Sequence, residues 1–230
     1  MIKDNINEIK ERISSVCARV KRDPAAITIV VVTKNRTPEE IKEALDSGLT
    51  EIGENKVQEA LLKYDVLHPT SNVQHPMKWH MIGHLQGNKV KEAIKIFDLI
   101  QSVDSLRLAQ EIDKQAAKIN KIQDILLEVK TSPEATKFGL QPEEVIGVLK
   151  AASELKYIKV RGLMTIAPIV DNPEQARPYF RRLRELRDKI VPLSTVNCEL
   201  STLSMGMTDD FEVAIEEGAN MIRLGRAIFG

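Results

Sequence analysis

Several residue types are scarce in this sequence, and each shortage excludes a class of protein. Only two of the 230 residues are cysteines, and they stand far apart as Cys17 and Cys198. Two isolated thiols without a CxxC or Cys/His spacing form neither a disulfide framework nor a structural zinc site. We therefore expect both cysteines to be small buried apolar residues of a cytoplasmic protein.

An excess of charge of one sign is also missing. The 33 basic side chains equal the 33 acidic ones in number. Proteins that bind nucleic acids or anionic membranes gain much of their affinity from basic surface, so we expect neither kind of partner. No segment approaches the roughly 18 apolar residues of a membrane-spanning helix. Residues 1–5 lack the apolar stretch of a secretory signal.

The motifs of several enzyme classes are absent as well. The sequence contains no GxSxG elbow, no P-loop and no GxGxxG turn after its first predicted strand. It therefore gives no support to a hydrolase or a nucleotide phosphotransferase. The histidines have neither the spacing of zinc ligands nor a nearby cysteine, so we expect no metal site. They are His68, His75, His80 and His84.

What is present is an alternation of helical and strand periodicity along the whole chain. Apolar residues recur every three or four positions in residues 2–20, which predicts an amphipathic helix that serves as a lid or base. Further helices are predicted from Thr37 to Gly48 and at about 55–66, 88–95, 105–119, 142–154, 173–190 and 208–217. The predicted strands are 27–32, 51–54, 79–83, 99–103, 122–129, 158–165, 196–202 and 221–224.

Eight predicted strands, each but the last followed by a helix, indicate a single α/β domain over residues 1–230. The predicted architecture is a (β/α)8 TIM barrel with an extra N-terminal helix. Parallel neighbours need such crossovers, because the end of one strand lies far from the start of the next. A TIM barrel takes about 250 residues. An open doubly wound sheet is the alternative, although it rarely needs eight strands.

In a TIM barrel the functional loops follow the carboxyl ends of the strands, and a phosphate is often held after the seventh and eighth. Here the seventh predicted strand leads into a hydroxyl-rich turn, residues 200–210, and the eighth ends at Gly225. Both turns suit a phosphate, since glycine lets backbone N–H groups approach an anion closely. On these residues alone, an ordinary helix cap beside a glycine is an equally good interpretation.

Two cations belong to the same predicted barrel mouth. Lys34 follows the first strand, where partial desolvation would free its amine to attack a carbonyl. Taken alone, a lysine that extends to water is the simpler interpretation. Arg223 lies two residues before Gly225, where it either faces a ligand or pairs with an inward carboxylate such as Glu54. A strand-end lysine beside a phosphate cradle fits a phosphorylated aldehyde.

A run of arginines lies in the helix predicted at 173–190. It could dock a protein partner or RNA, but apolar residues alternate with it, and Glu185 and Asp188 interrupt the charge. We therefore expect a solvated helix face. The arginines are Arg177, Arg181, Arg182, Arg184 and Arg187.

Six sequence blocks, in order along nearly the whole chain, are similar to those of one family. They are residues 30–34 (VVVTK), 53–59 (GENKVQE), 79–89 (WHMIGHLQGNK), 102–105 (SVDS), 162–168 (GLMTIAP), and 203–207 (LSMGM) with 223–230 (RLGRAIFG). The chain resembles the pyridoxal phosphate homeostasis protein family. The resemblance implies a single barrel like the N-terminal domain of alanine racemase, with pyridoxal 5′-phosphate (PLP) as a covalently held cofactor.

The resemblance also implies which residues bind the cofactor. Lys34 would form the internal aldimine with PLP, and Asn55 and Met164 would belong to the cofactor pocket. Lys56 and Lys130 differ from the residues that are common in the family at these positions. Both departures would alter the wall of the pocket and leave Lys34 untouched.

The phosphate and the pyridine ring have implied partners of their own. Ser204 and the backbone around Gly225 and Arg226 would hold the phosphate, and Arg226, where the family often has a small residue, would add charge there. Arg223 would face the pyridine nitrogen. A cationic partner keeps that nitrogen unprotonated and makes the ring a poorer electron sink, which disfavours carbanion chemistry.

The implied function is a PLP-binding protein that acts in intracellular PLP (vitamin B6) homeostasis and amino-acid balance. Its expected partners are PLP and PLP-dependent apoenzymes as recipients, and its expected state is a monomer or weak dimer. A PLP-dependent racemase of low activity and a cofactor-free Schiff-base aldolase are the alternatives. Racemisation needs an acid or base on each face of the substrate Cα, and Tyr64, Tyr157 and Tyr179 stand in no evident position for that role.

Overall fold

A closed barrel of eight parallel strands forms the centre of the molecule. The computed structural model describes residues 1–67, 77–134, 137–193 and 199–230. The strands are Thr28–Val32 (β1), Glu51–Glu54 (β2), Lys78–Met81 (β3), Leu99–Val103 (β4), Gln123–Glu128 (β5), Ile158–Met164 (β6), Thr202–Ser204 (β7) and Met221–Leu224 (β8). Each strand pairs with the next, and β8 pairs with β1. The predicted TIM barrel is therefore confirmed, and the open sheet is wrong.

Helices connect the strands on the outside of the barrel. They are Ile2–Arg19 (α1), Pro38–Asp46 (α2), Val57–Leu67 (α3), Val90–Ile96 (α4), Leu106–Lys118 (α5), Val145–Ala152 (α6), Arg177–Ile190 (α7), Phe211–Glu216 (α8) and Arg226–Phe229 (α9). Thr37 caps α2 with a reciprocal capping box formed with Glu40. The prediction that no helix follows the last strand is wrong, because α9 occupies that place.

Successive side chains of β1 point to two different layers. Val31 belongs to the continuous apolar layer between the barrel and its helices. Val30 is also buried, but it is not part of that layer. Because Val30 pairs in register with Arg223 of β8, the alternation of strand side chains puts both inside the barrel. The inside of the barrel is thus partly polar. The main apolar core of the protein lies between the strands and the surrounding helices.

The N-terminal helix α1 packs on the side of the barrel. Its main contacts are with α2, α8 and α9 in the outer helical layer, so the prediction of a lid or base is wrong. Its apolar stripe is buried against those helices. Arg12 and Arg19 add ion pairs to Glu212 and Glu216 of α8. The buried residues of the stripe are Ile2, Ile6, Ile9, Ile13, Val16 and Cys17.

The seventh strand begins later than its sequence suggests. It was expected at 196–202, but the described strand is Thr202–Ser204, and residues 194–198 lie outside the described part of the chain. The sequence predicts a turn at residues 200–210, but Ser204 pairs with Met221 of β8, so residues 202–204 form a strand. The predicted burial of Cys17 is confirmed, while Cys198, His68 and His75 lie outside the description. None of the described helices is long and apolar enough to cross a membrane.

Candidate functional site

Lys34 lies just beyond the carboxyl end of β1, in the turn that leads to α2. The hydroxyl of Thr33 points away from the barrel axis and donates to Glu54 Oε1 at 2.5 Å. Lys34 follows in the turn at this carboxyl end of the barrel. It is exposed, so the desolvation expected from its sequence position is not present.

A buried ionic cluster holds the backbone on both sides of Lys34. Lys63 of α3 donates from Nζ to the Thr33 carbonyl at 2.5 Å and to Glu54 Oε1 at 2.7 Å. It also donates to Glu59 Oε1 at 2.6 Å, and the same oxygen accepts the N–H of the residue after Lys34 at 2.6 Å. Burial raises the pKa of Glu54 despite these partners.

This cluster corrects one expectation from the sequence. Glu54 pairs with Lys63 between the barrel and α3, and the suggested ion pair between Glu54 and Arg223 is therefore wrong. The spacing of Glu59 and Lys63, four residues apart on one helix face, was the signal that could have indicated a local ion pair.

Asn55 and Met164 also lie at carboxyl ends of strands. Asn55 directly follows β2 and is half-buried, while Met164 is the last residue of β6 and is fully buried. A Cβ atom at Gly83 would overlap the carbonyl oxygen of Asn55. Glycine at that position therefore allows the end of β3 to approach the Asn55 backbone closely.

Arg223 is a buried cation inside the barrel, with 4% of its surface exposed. It donates from Nη1 to Ser204 Oγ at 2.7 Å and from Nη2 to the carbonyl of Thr165 at 2.9 Å. Burial lowers its pKa to about 10, and the charges of Glu128 and Asp210 oppose that shift. A guanidinium has five N–H donors, so these two bonds leave others to face a ligand at the mouth.

Ser204 lies inside the barrel beside β8, and a second hydroxyl, that of Thr208, lies beside the first turn of α9. Ser204 is fully buried, and its Oγ donates to Gln101 Oε1 at 2.6 Å while it accepts from Arg223. Thr208 is only half-buried, and its Oγ1 accepts the N–H of Ala227 at 3.3 Å. The turn at 200–210 was recognised from the sequence, but Thr208 within it was missed.

The turn between β8 and α9 presents backbone donors at the same end of the barrel. In the described part of the chain, the N–H groups of Gly225 and Arg226 donate to no backbone carbonyl. Arg226 is exposed and pairs with Asp209 at 2.5 Å. Gly206 takes a φ of +95°, and a Cβ there would press against Ala214, so glycine shapes the neighbouring turn. Unpaired amides beside a hydroxyl form a cradle for an anion.

Glu128 adds a carboxyl at the end of β5 that the sequence analysis missed. Its side chain is buried, and burial, together with the charge of Asp104, raises its pKa to about 7, although Arg223 pulls in the opposite direction. A carboxyl of this kind changes its protonation near neutral pH. No sequence motif marks it, because the shift comes from the surroundings of the folded barrel.

The two described histidines are engaged with neighbouring side chains. His84 lies 3.2 Å from Asp104 and stacks on Phe138 with ring centroids 3.8 Å apart. His80 is buried and lies 2.5 Å from Glu51. Among residues 1–67, 77–134, 137–193 and 199–230, no group of three or more ligand-type side chains could hold a metal ion.

The arginines of α7 are tied to the protein more strongly than expected. Arg177, Arg181 and Arg184 converge on Glu217, which is 3% exposed at its side chain. Burial favours the neutral acid, but the hydrogen bonds and charges of the three arginines together outweigh it and lower the pKa of Glu217. Arg181 is exposed, as expected for a solvated face, whereas Arg177 and Arg184 are half-buried, and all three form ion pairs that the sequence did not indicate.

Comparison with known proteins identifies the family. Residues 1–230 match the family model of the alanine racemase N-terminal domain. A pyridoxal phosphate homeostasis protein of Aquifex aeolicus (strain VF5) is 44% identical over 227 residues, which cover 99% of this chain and 96% of that protein. The chain belongs to the pyridoxal phosphate homeostasis protein family. The resemblance stated from the sequence is thus confirmed.

Solved structures agree with this assignment. PipY of Synechococcus elongatus PCC7942, solved with PLP bound, is 34% identical and has a TM-score of 0.83, with 96% of this chain and 100% of PipY covered. An alanine racemase of Clostridium difficile 630 has a TM-score of 0.73 at 18% identity, and it shows a common fold alone. This chain covers 56% of that racemase.

Proposed function

We propose that this protein binds PLP at the carboxyl ends of its barrel strands and acts in PLP homeostasis and amino-acid balance. One observation carries the proposal: the exposed amine of Lys34, the buried cation of Arg223 and the unpaired amides of Gly225 and Arg226 belong to the same end of one barrel. The bound PLP in PipY and the names of the relatives support it.

The residues present fit the three polar parts of PLP. The aldehyde of PLP condenses with a lysine amine, forming a C=N bond and releasing one water. Lys34 supplies that amine, and the cluster around Lys63 keeps its turn in place. Arg223 faces the pyridine nitrogen and holds a permanent positive charge there. Asn55 and Met164 contribute to the pocket wall between these two ends.

The phosphate is assigned to the turn after β8. The N–H groups of Gly225 and Arg226 and the hydroxyl of Thr208 supply donors, and the exposed guanidinium of Arg226 adds charge. Ser204 was the hydroxyl predicted for this role. Its full burial and its two internal hydrogen bonds favour Thr208 as the phosphate contact and Ser204 as a support for Arg223.

Covalent attachment at Lys34 tests the proposal directly. Incubation with PLP is expected to produce a visible absorption band, and borohydride reduction followed by peptide mapping is expected to place the adduct on Lys34. Lys34→Ala is expected to abolish both signals. Lys56→Ala is the matched control, since Lys56 is an exposed lysine after the neighbouring strand. A wild-type protein that stays colourless at saturating PLP would refute the proposal.

Comparison of PLP with pyridoxal, which lacks the phosphate, tests the phosphate assignment. Thr208→Ala is expected to weaken PLP roughly tenfold and pyridoxal hardly at all, because one charge-assisted hydrogen bond is lost. Ser204→Ala is expected to weaken both ligands by similar factors, because it acts through Arg223. Titrations followed by absorbance give both constants. A selective loss of PLP in Ser204→Ala alone would restore Ser204 as the phosphate ligand.

The protein is proposed as a carrier, with PLP-dependent apoenzymes as recipients, in the cytoplasm and as a monomer or weak dimer. The tyrosines support a carrier over a racemase: Tyr64 packs edge-on against Trp79, Tyr157 precedes β6 at the far end of the barrel, and Tyr179 packs against the core from α7. Incubation of amino acids in deuterated water measures Cα exchange. Exchange as fast as in a dedicated racemase would overturn the carrier.

A further inference from the structure

A continuous chain of hydrogen bonds crosses the polar interior of the barrel. It runs from Arg223 to Ser204 (2.7 Å), from Ser204 to Gln101 (2.6 Å), from Gln101 to His80 (2.8 Å) and from His80 to Glu51 (2.5 Å). The first four residues are at most 4% exposed. Five strands thus contribute one residue each, since these residues belong to β8, β7, β4, β3 and β2.

The donor-only arginine at one end and the orientation of the Gln101 amide give this row of hydrogen bonds a single direction. Arginine only donates, so Ser204 Oγ accepts from Arg223 and directs its own proton to Gln101 Oε1. The other polar atom of Gln101 is the Nε2 amide, which donates to His80 Nδ1. His80 therefore carries its proton on Nε2, from which it donates to Glu51. Every donor points away from Arg223.

The row of hydrogen bonds ends at the carboxylate of Glu51, the first residue of β2, at the amino-terminal end of the barrel. Lys78 lies 3.4 Å from the second oxygen of Glu51. Burial would favour a neutral acid, but His80 and Lys78 together outweigh it and lower the pKa of Glu51. An ionised Glu51 only accepts, so it suits a hydrogen bond donated by the Nε2–H group of His80.

Gln101 is the one member of the chain whose orientation decides the direction. With its amide reversed, Nε2 would donate to Ser204 and Oε1 would accept from His80, which would require a proton on Nδ1. The structure has the other orientation, in which Gln101 Nε2 also lies 3.2 Å from the sulfur of Met221, a weak acceptor.

We propose that Gln101 is a positioning residue, which orients Ser204 and thereby Arg223 by linking them to the His80–Glu51 pair. The inference rests on the proposed function, in which Arg223 faces the pyridine ring. It adds two residues, Gln101 and His80, that never touch the cofactor but determine how firmly Arg223 is presented to it.

The protein without cofactor provides the first test. Imidazole nitrogen spectra of the labelled protein, with the His80 signals assigned through His80→Gln, are expected to show a proton on Nε2 and none on Nδ1. In Gln101→Glu the new carboxylate can only accept, so His80 is expected to gain a proton on Nδ1 as well. A proton on Nδ1 in the wild-type protein would overturn the inference, whatever the cofactor does.

Binding of PLP provides the second test. Gln101→Leu removes the acceptor of the Ser204 hydroxyl and is expected to weaken PLP roughly tenfold, the effect of one lost buried hydrogen bond. Gln101→Glu keeps that acceptor and is expected to bind PLP within about threefold of wild type. Near-normal binding in Gln101→Glu would show that Gln101 acts by accepting the hydrogen bond from Ser204 and not merely by filling space inside the barrel.

Gln123→Leu is the matched control. Gln123 is another fully buried glutamine, on β5. Its amide donates to the carbonyls of Asp98 and Asp124, and it forms no hydrogen bond with Arg223, Ser204, Gln101, His80 or Glu51 in the described part of the structure. It is expected to leave His80 and PLP affinity unchanged even if it destabilises the fold. A wild-type protein that binds no PLP would overturn the proposed function and this inference together. If the wild-type protein binds PLP and Gln101→Leu binds it equally well, only this inference is overturned and the proposed function stands.

Discussion

At the scale of single residues, burial changes the chemistry of groups at the barrel mouth. Glu128 lies close to Asp104 and Arg223, and the pKa of its carboxyl is raised to about 7 because burial penalises the ionised form. Its pKa in the unfolded chain is the ordinary value near 4.5. Between these two values the folded state binds more protons than the unfolded state, so this residue makes the fold less stable as the pH rises.

The residue-scale prediction concerns Glu128→Gln. A neutral amide avoids the cost of ionisation, so the variant is expected to gain stability over wild type by about 2 kcal/mol more at pH 8 than at pH 5. The gain arises between pH 4.5 and 7 and is constant above that range. Denaturant unfolding at the two pH values measures it. Glu143→Gln, at an exposed carboxyl, is the control, and equal gains at both pH values would contradict the expectation.

At the scale of elements, two glycines serve opposite purposes. Gly162 lies in β6 where it pairs with Thr202 of β7, and a Cβ there would overlap the Thr202 carbonyl. Gly147 lies inside α6 with nothing within 4 Å of such a Cβ. The first glycine permits a close approach of two strands, whereas the second only adds flexibility to the unfolded chain.

These glycines give a paired prediction. Gly162→Ala is expected to lower the free energy of unfolding by about 3 kcal/mol or more, because backbone atoms must move. Gly147→Ala is expected to raise it by about 0.5–1 kcal/mol, through the better helix propensity of alanine. Thermal and urea unfolding measure both changes. An unchanged free energy of unfolding in Gly162→Ala would show that β6 and β7 lie further apart than the overlap at the Thr202 carbonyl implies.

At the scale of the whole molecule, α1 completes the outer layer of the barrel. Its buried aliphatic side chains lie against α2, α8 and α9, so the first helix is tied to the last elements of the chain. Burial of these side chains contributes on the order of 10 kcal/mol. That is comparable with the total free energy of unfolding of an ordinary domain, about 5–15 kcal/mol.

Deletion of residues 1–20 is therefore expected to prevent folding. Circular dichroism and gel filtration are expected to show lost cooperative unfolding and aggregation, because the faces of α8 and α9 become exposed. The double variant Arg12→Ala/Arg19→Ala removes the ion pairs to α8 and the contact of Arg12 with the Phe211 ring, and it is expected to cost about 1–2 kcal/mol. A folded, monomeric deletion product would show that the barrel is stable without α1.

The sequence by itself determined the order of elements and the carboxyl-end location of the candidate site. Alternating periods of two and 3.6 residues, with caps such as Thr37 and terminators such as Gly48, are local signals that survive without tertiary contacts. Lys34, Gly225 and Arg226 could be placed for the same reason, because each follows directly from the end of a strand.

The tertiary structure decided which side chains meet inside and around the barrel. Lys63 and Glu54, or Gln101 and Ser204, come together only when strands and helices distant in sequence are packed side by side. The burial of Glu128 depends on barrel closure for the same reason. Hydrogen bonds and dielectric surroundings depend on distances of a few ångströms between such residues, and no local sequence pattern encodes those distances.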